Sequence, residues 1–305
     1  VCSGFGQVFL CKPKANPYNR AIGEASTSGG SSISWQESTM NAMENLRKPL
    51  DVEFLRRELV ESGPYARLEY QEQTDSTNTD LVKLAHAGAE AWTAALTEYQ
   101  SAGRGRMGRS FTAPPRSQLP MSVLIRPPHE AVSRLGTMPL ATGLALIDAI
   151  GSPKIKLKWP NDLVIDGRKL CGILAEAVSL GAEPAVVIGM GLNTSLQQDE
   201  LPVPHASSLL LEDIPFERNE LAVKILKAVY RRLNQWQDND PQLLDDYRAV
   251  SATIGEDVRV VLPDNTELLG FAESVGDDGR IEVRDAHGAL HQLTAGDVTH
   301  LRLQH

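Results

Sequence analysis

The chain has 305 residues, enough for two domains and a tail, and 42% of them are hydrophobic, enough to bury a core. Its 30 lysines and arginines against 39 acids give a formal net charge of −9, which argues against a general polyanion binder, because nucleic-acid domains usually carry a basic face. The three cysteines, Cys2, Cys11 and Cys171, show no Cys-x-x-Cys pair and no histidine spacing for zinc, so they read as thiols of a reducing cytoplasm; no apolar run approaches a membrane span or a signal-peptide core.

In chain order, residues 1–45 stand apart. Ala25-Ser-Thr-Ser-Gly-Gly-Ser-Ser-Ile-Ser is low-complexity sequence of the kind that stays flexible, so a disordered tail is expected there. Met40 and Met43 just before the first patterned helix suggest that the upstream residues lie outside the true start. Asp51–Ser62 reads as a helix with Val52, Leu55 and Leu59 on one face, ended by Gly63-Pro64. Tyr65–Gln71 alternates like a strand. Thr74-Asp-Ser-Thr-Asn78 leads into a helix through His86, with Ser76 or Thr77 as N-cap. Ala94–Thr97 and Leu119–Arg126 read as strands, Val132–Ile150 as one long helix, and Ile155–Trp159 as a strand alternating with lysines. Leu163–Lys169 reads as a hairpin turning at Asp166-Gly167. Leu170–Val178 and Ala185–Ile188 are further strands, the second closed by Gly189-Met-Gly-Leu-Asn193. Helices follow at Glu217–Gln237 and Pro241–Val250. From Ile254 onward the pattern becomes short strands with turns at Pro263-Asp-Asn, Asp277-Asp-Gly and Ala286-His-Gly, which predicts a small antiparallel barrel or sandwich.

The stretch from Glu98 to Ser110 is the most chemically loaded. Gly103, Gly105 and Gly108 alternate with Arg104, Arg106 and Arg109, and no acid lies between Gln100 and Ser110. Glycine lets a backbone approach a ligand closely, and the arginine fork suits carboxylates and phosphates. The spacing matches Gly-x-Gly-x-x-Gly, but that fingerprint must open into a helix, and Ser110-Phe-Thr-Ala-Pro-Pro forbids one. A phosphate loop with Arg109 in the lysine position fails on the same ground. An Arg-Gly nucleic-acid tract would be longer and lie in a basic region. On this loop alone, an anion site for a small ligand stands level with those three readings taken together. Lys158-Trp-Pro-Asn-Asp162 adds a cation, an amide and an acid within five residues, stiffened by Pro160. Asp162 suits Mg²⁺ or the orientation of Lys158, or simply caps a turn. Lys169 precedes an apolar strand, so its head is expected in a cleft. Gly189, Gly191 and Asn193 suit the passage of a flat ring, or a plain turn.

Taken together, Asp75-Ser-Thr-Asn, Glu98-Tyr-Gln with Gly103-Arg-Gly-Arg-Met-Gly-Arg, Lys158-Trp-Pro-Asn-Asp-Leu, Arg168-Lys-Leu-Cys-Gly-Ile-Leu and Gly191-Leu-Asn occur in this order. The chain resembles the biotin–protein ligases over residues 65–305, in the form without an N-terminal helix-turn-helix domain. The resemblance implies an α/β (α+β) fold: a mixed-sheet catalytic domain over 46–250, similar to class II synthetase-like biotin/lipoate ligases, and a small SH3-like β-barrel over 251–305. It implies ATP-dependent activation of biotin to biotinyl-5′-AMP, with Mg²⁺, and transfer to a lysine of a biotin carboxyl carrier domain of a biotin-dependent carboxylase. A lipoate–protein ligase of the same superfamily and a non-catalytic nucleotide-binding regulator are the alternatives. Neither DNA nor membrane binding is expected, and the implied state is a monomer or weak homodimer in the cytoplasm.

Position by position, the resemblance implies that Ser76, Thr77, Asn78, Gln100, Arg104, Gly105, Arg106 and Lys169 lie at biotin. Gly103, Gly108, Arg109, Phe111, Lys158, Asn161, Asp162, Gly191 and Asn193 would lie at ATP or the adenylate, with Asp162 toward Mg²⁺. Lys169, Arg104, Arg106 and Lys158 would carry the catalysis. Two departures stand out: Phe111 where many relatives have tryptophan, and Ala206-Ser-Ser-Leu where Ala-Thr-Ser-Leu is common.

Overall fold

The structure, a computed structural model, describes residues 43–109, 112–262, 264–294 and 296–300. The tail expected over 1–45 falls outside these residues up to position 42; residues 43–46 form one helical turn that buries Leu46. Seven strands form the main sheet: β1 (Arg67–Thr74), β2 (Thr93–Gln100), β3 (Gln118–Ile125), β4 (Lys156–Lys158), β5 (Asp162–Ile165), β6 (Arg168–Ser179) and β7 (Ala185–Asn193). Their order is β1-β2-β3-β7-β6-β5-β4. β1 and β2 are parallel, and every other pair is antiparallel, so the sheet is mixed as expected.

β3 and β7 are buried on both faces, and side chains alternate between faces along a strand. Leu119, Met121, Val123 and Ile125 of β3, with Val186, Ile188, Met190 and Leu192 of β7, join the large core. Two long helices cover that face: α3 (Met138–Ile150) and α4 (Arg218–Gln237), the latter capped by Glu217, whose carboxylate accepts the Asn219 and Glu220 amides. The other face is covered by α2 (Thr77–His86), over Ala95, Leu124, Ala185 and Val187. α1 (Val52–Arg56) continues into a π-turn, Arg57–Glu61, in place of one regular helix, and α5 (Gln242–Val250) follows α4.

The long helix expected over 132–150 is broken. Its first part is a 3₁₀ segment, His129–Thr137, and the α-helix begins only at Met138. Pro139 has no N–H to give to the preceding turn, so it is accepted only at a helix start. Strand β2 runs three residues past the expected Thr97, to Gln100, and β7 runs on through Gly189-Met-Gly-Leu to Asn193. The Asp166-Gly167 turn is as expected, with φ of 47° and 78° joining β5 to β6.

The last five strands, β8 (Asp257–Val261), β9 (Glu267–Val275), β10 (Ile281–Asp285), β11 (Leu290–Leu293) and β12 (Asp297–His300), form an antiparallel sheet in the order β11-β10-β9-β8-β12. Its inner face buries Val258, Val260, Ala272, Val275, Ile281, Val283 and Val298. The β9–β10 turn abuts the start of α3: a Cβ on Gly279 would lie 3.0 Å from the Gly136 backbone.

Candidate active site

One face of β7 reads Ala185, Val187, Gly189, Gly191, Asn193. The first two pack under α2, and the glycines continue past the N-terminus of that helix with no side chain to fill the space. A cavity of about 480 Å³ opens there. The Ser122–Gly189, Leu174–Gly189 and Gly172–Gly191 pairings bring β3 and β6 onto the same face.

The N-terminus of α2 forms one wall. Ser76 holds the N-cap position, but its side chain makes no capping hydrogen bond. Instead, the Thr77 amide donates to Gln100 Oε1 at 2.9 Å, and the Thr77 hydroxyl bonds Ser122 at 2.6 Å. Asn78 Nδ2 donates to Glu176 Oε2 at 2.5 Å and to Leu174 O at 3.3 Å, and its Oδ1 accepts from Ser122 at 2.6 Å. A Cβ at Gly189 would stand 2.1 Å from Asn78 Oδ1, so the strand position must be glycine for Asn78 to sit where it does. Ser76, Thr77, Asn78 and Gln100 are thus gathered at one end of the cavity.

The opposite wall is cationic. Lys169 reaches along β6 over Gly172, whose missing Cβ would lie 3.1 Å from Lys169 Nζ. The ammonium ends 2.6 Å from Asp162 Oδ1. That oxygen is buried, so the ion pair is shielded from water. To the three readings open for Asp162, Mg²⁺, the orientation of Lys158 or a turn cap, the ion pair adds a fourth role, holding Lys169. Lys158 faces the same cavity, where burial pulls its ammonium below the usual lysine value while the Asp162 carboxylate opposes that shift. Cys171 lies between these groups, and burial pushes its thiol up to about 12, so it stays protonated and is no nucleophile.

The Gly-Arg loop and the C-terminal sheet close the rim. Arg106 Nη1 lies 3.2 Å from Asn161 Oδ1 and 3.5 Å from Gly296 O; burial lowers its pKa, with Asp297 and Asp162 opposing. Arg109 pairs with Asp297 of β12, and Arg104 is exposed at the edge. Gly105 takes φ of −104°, while Gly108 takes +72°, a left-handed turn that favours glycine. Gly103 is buried at the head of the loop. Phe111 lies outside the described residues. Asn193 is committed internally: Gln118 donates to its Oδ1 at 2.7 Å, and its Nδ2 donates to Ser207 O at 2.8 Å. It lines the cavity and pins the next loop, both ends of its amide being engaged within the protein.

Several lining groups had no sequence signal. Asp297, Val298 and Thr299 come from the last described strand, and Pro202, Val203 and His205 from an irregular loop; Trp159, already in the lysine motif, donates its Nε1 to Gly279 O at 2.9 Å, tying the wall to the C-terminal sheet. Five basic side chains (Arg104, Arg106, Arg109, Lys158, Lys169) face two acids (Asp162, Asp297) in a chain of net charge −9. Such a site suits an anionic ligand carrying more than one negative group.

The sequence model of the biotin/lipoate A/B protein ligase family matches residues 70–193, the segment from β1 to the end of β7. The biotin–[acetyl-CoA-carboxylase] ligase of Mycobacterium tuberculosis is 41% identical over 272 residues, covering 86% of this chain and 100% of that protein. The chain belongs to the biotin/lipoate protein ligase family. A second family member, the bifunctional ligase/repressor BirA of Escherichia coli, is 27% identical over 232 residues, covering 74% of this chain and 71% of that one. Among solved structures of biotin protein ligases, that of Aquifex aeolicus in complex with biotin and ATP superposes with a TM-score of 0.65 at 22% identity, covering 78% of this chain and 100% of that one, and so shares the fold.

Proposed function

We propose that this protein is an ATP-dependent biotin–protein ligase acting on a biotin carboxyl carrier domain of a biotin-dependent carboxylase. The likeness to the Mycobacterium tuberculosis ligase over its whole length supports the assignment. The observation that carries it is the cavity itself. Its polar, hydroxyl- and amide-lined end (Ser76, Thr77, Asn78, Gln100) suits an uncharged head group, and its cationic end (Lys158, Lys169, Arg106) suits a carboxylate beside phosphates.

Biotin's carboxylate attacks the α-phosphorus of ATP. The new P–O bond makes a mixed anhydride, and the bond to the β-phosphate breaks to release pyrophosphate. Two anions must meet, so the barrier is largely electrostatic. Lys169, facing both groups, offsets their repulsion, and Arg106 and Lys158 hold the phosphates. The anhydride must then be shielded from water, the task of a mobile loop such as 103–109. The carrier lysine attacks the acyl carbon as a free amine, AMP leaves, and the amine proton passes to solvent.

Mg²⁺ fits the Asp162 carboxylate, which faces the cavity and whose Oδ1 already meets one positive charge, the Lys169 ammonium; this ion is usually held by one or two carboxylates plus substrate phosphates. Asp162 would hold it there, and it would spread charge over the phosphates. Residues 46–250 would form the catalytic domain and 251–305 a barrel closing the rim. A cytoplasmic monomer or weak homodimer without DNA binding completes the reading; among the described residues no helix is long and apolar enough to cross a membrane.

The test is streptavidin-detected biotin transfer to a carrier domain with ATP and Mg²⁺, alongside pyrophosphate release. Transfer of lipoate in preference to biotin, or ligand binding without pyrophosphate, would overturn the assignment.

A further inference from the structure

Lys169 sits where the main sheet runs out. β6 pairs with β7 only from Cys171 onward, opposite Leu192, so Lys169 has no β7 partner. The loop after β7 takes that place. The Lys169 amide donates to His205 O at 2.7 Å, and the Ser207 amide donates to Lys169 O at 2.8 Å, a parallel bridge centred on Ala206. On its other side Lys169 pairs with Val164, next to a register shift at Leu163/Val164. The backbone that aims the Lys169 ammonium is therefore fixed on one side by an irregular loop.

That loop is in turn held by one carboxylate. Glu212 is buried, with its side chain 7% exposed. Arg168, the residue before Lys169, grips it with both arms, Nε to Oε1 at 2.9 Å and Nη2 to Oε2 at 2.8 Å. Ser207, the residue after Ala206, donates its hydroxyl to the same Oε1 at 2.5 Å. Glu212 thus staples the two segments of the bridge on either side of the Lys169–Ala206 contact. A two-pronged arginine–carboxylate pair fixes direction as well as distance.

We propose that Glu212 is a positioning residue for adenylation: by clamping Arg168 to Ser207 it sets the backbone from which Lys169 reaches the reacting carboxylate and phosphate. Glu212 lies outside the lining of the cavity, so it acts only through Lys169 and the loop. The inference rests on the ligase reading for its chemistry, but its structural half stands without it.

The test uses Glu212→Gln in the full chain. The amide has one oxygen and one NH₂ where Arg168 and Ser207 need acceptors, so the staple loses at least one arm. The expected result is a fall in kcat for biotin- and ATP-dependent pyrophosphate release on the order of tenfold or more, because catalytic groups lose rate steeply on small displacement. KM for both substrates should stay within about threefold. In a Lys169→Gln background the same change should lower kcat by no more than about twofold, since residues acting as a unit are not additive. Amide exchange should quicken at Lys169 and Ser207, which a generally loosened protein would not confine to that bridge. Multiplying losses in the double variant, or unchanged kcat with unchanged exchange, would overturn the proposal. Should Glu212→Gln fail to fold, Arg168→Gln carries the same test, because the Arg168 side chain is 48% exposed and its loss leaves the core intact. If the unaltered protein releases no pyrophosphate, the ligase reading fails while amide exchange still decides the clamp.

Discussion

Arg218 and Glu98 form an ion pair in the core, each 2% exposed, with 2.7 Å between Nη2 and Oε2. The perturbation of interest is Arg218→Met, which keeps the aliphatic bulk and removes the charge. Glu98 would retain the Leu50 amide at 2.5 Å and the Tyr70 hydroxyl at 3.3 Å, two neutral donors for a buried carboxylate. Lys48 O and Gln118 O would also lose their donors, at 2.6 and 3.2 Å. Removing one partner of a buried pair costs about 3–5 kcal/mol, mostly the penalty on the stranded charge. For a protein of this size that corresponds to a fall in Tm of roughly 10 °C. Adding Glu98→Gln removes the stranded charge and keeps an acceptor for the Leu50 amide, so the double variant should regain about 2 kcal/mol over Arg218→Met alone. Urea and thermal unfolding of wild type, both single variants and the double variant measure this. The reasoning is refuted if Arg218→Met unfolds within about 1 kcal/mol of wild type, or if the double variant is less stable than either single one.

Gly189→Ala puts a Cβ 2.1 Å from Asn78 Oδ1, and Asn78 is held by Ser122 and Glu176, so it should cost about 1–3 kcal/mol and weaken biotin binding together, checked by unfolding and calorimetry. Lys169→Gln removes a charge-assisted contact worth roughly 1.5–3 kcal/mol, so adenylation should slow by about one to two orders of magnitude. Transfer from synthetic biotinyl-AMP should slow less, and single-turnover assays of the two steps separate them. Asp148 is partly buried, which raises its pKa, but the Arg232 and Arg231 guanidinium groups lower it further, so its folded value lies below its unfolded one. The stability it contributes is then present above the unfolded value and lost as pH falls toward the folded one. The Tm difference between wild type and Asp148→Asn should therefore stay level from pH 7 down to the ordinary aspartate range and shrink only as pH falls below it.

Much of the fold was legible because local rules decide it. The Asp166-Gly167 turn and the alternating strands each need only neighbouring residues. The errors came where tertiary context overrides pattern. Gly189 and Gly191 look like a loop in sequence, yet they continue β7, because flanking strands supply hydrogen bonds and Asn78 occupies the space of a side chain. Pro139 splits a helix that apolar periodicity alone joins. Motif residues converged on one cavity, Ser76 to Asn78 at one end and Lys158, Asp162 and Lys169 at the other. What sequence could not give was pairing: Asp162 meets Lys169, Arg109 meets Asp297 at a separation of 188 residues, and Asn193 spends its amide on Gln118 and Ser207.

The contribution of β12 to the cavity rim bears on how the protein is made. A ribosome delivers the chain N-terminus first, and domains fold as they emerge. All seven strands of the main sheet precede residue 194, so that sheet can form while the rest is still being translated. Asp297, Val298 and Thr299 emerge long after β7, and only then do Arg109 and Arg106 meet Asp297 and Gly296. A nascent chain is thus expected to carry the floor of its cavity well before the rim, and binding competence to wait until β12 has emerged. Chains released by a stop codon before residue 297 should accumulate with the main sheet folded and the rim missing.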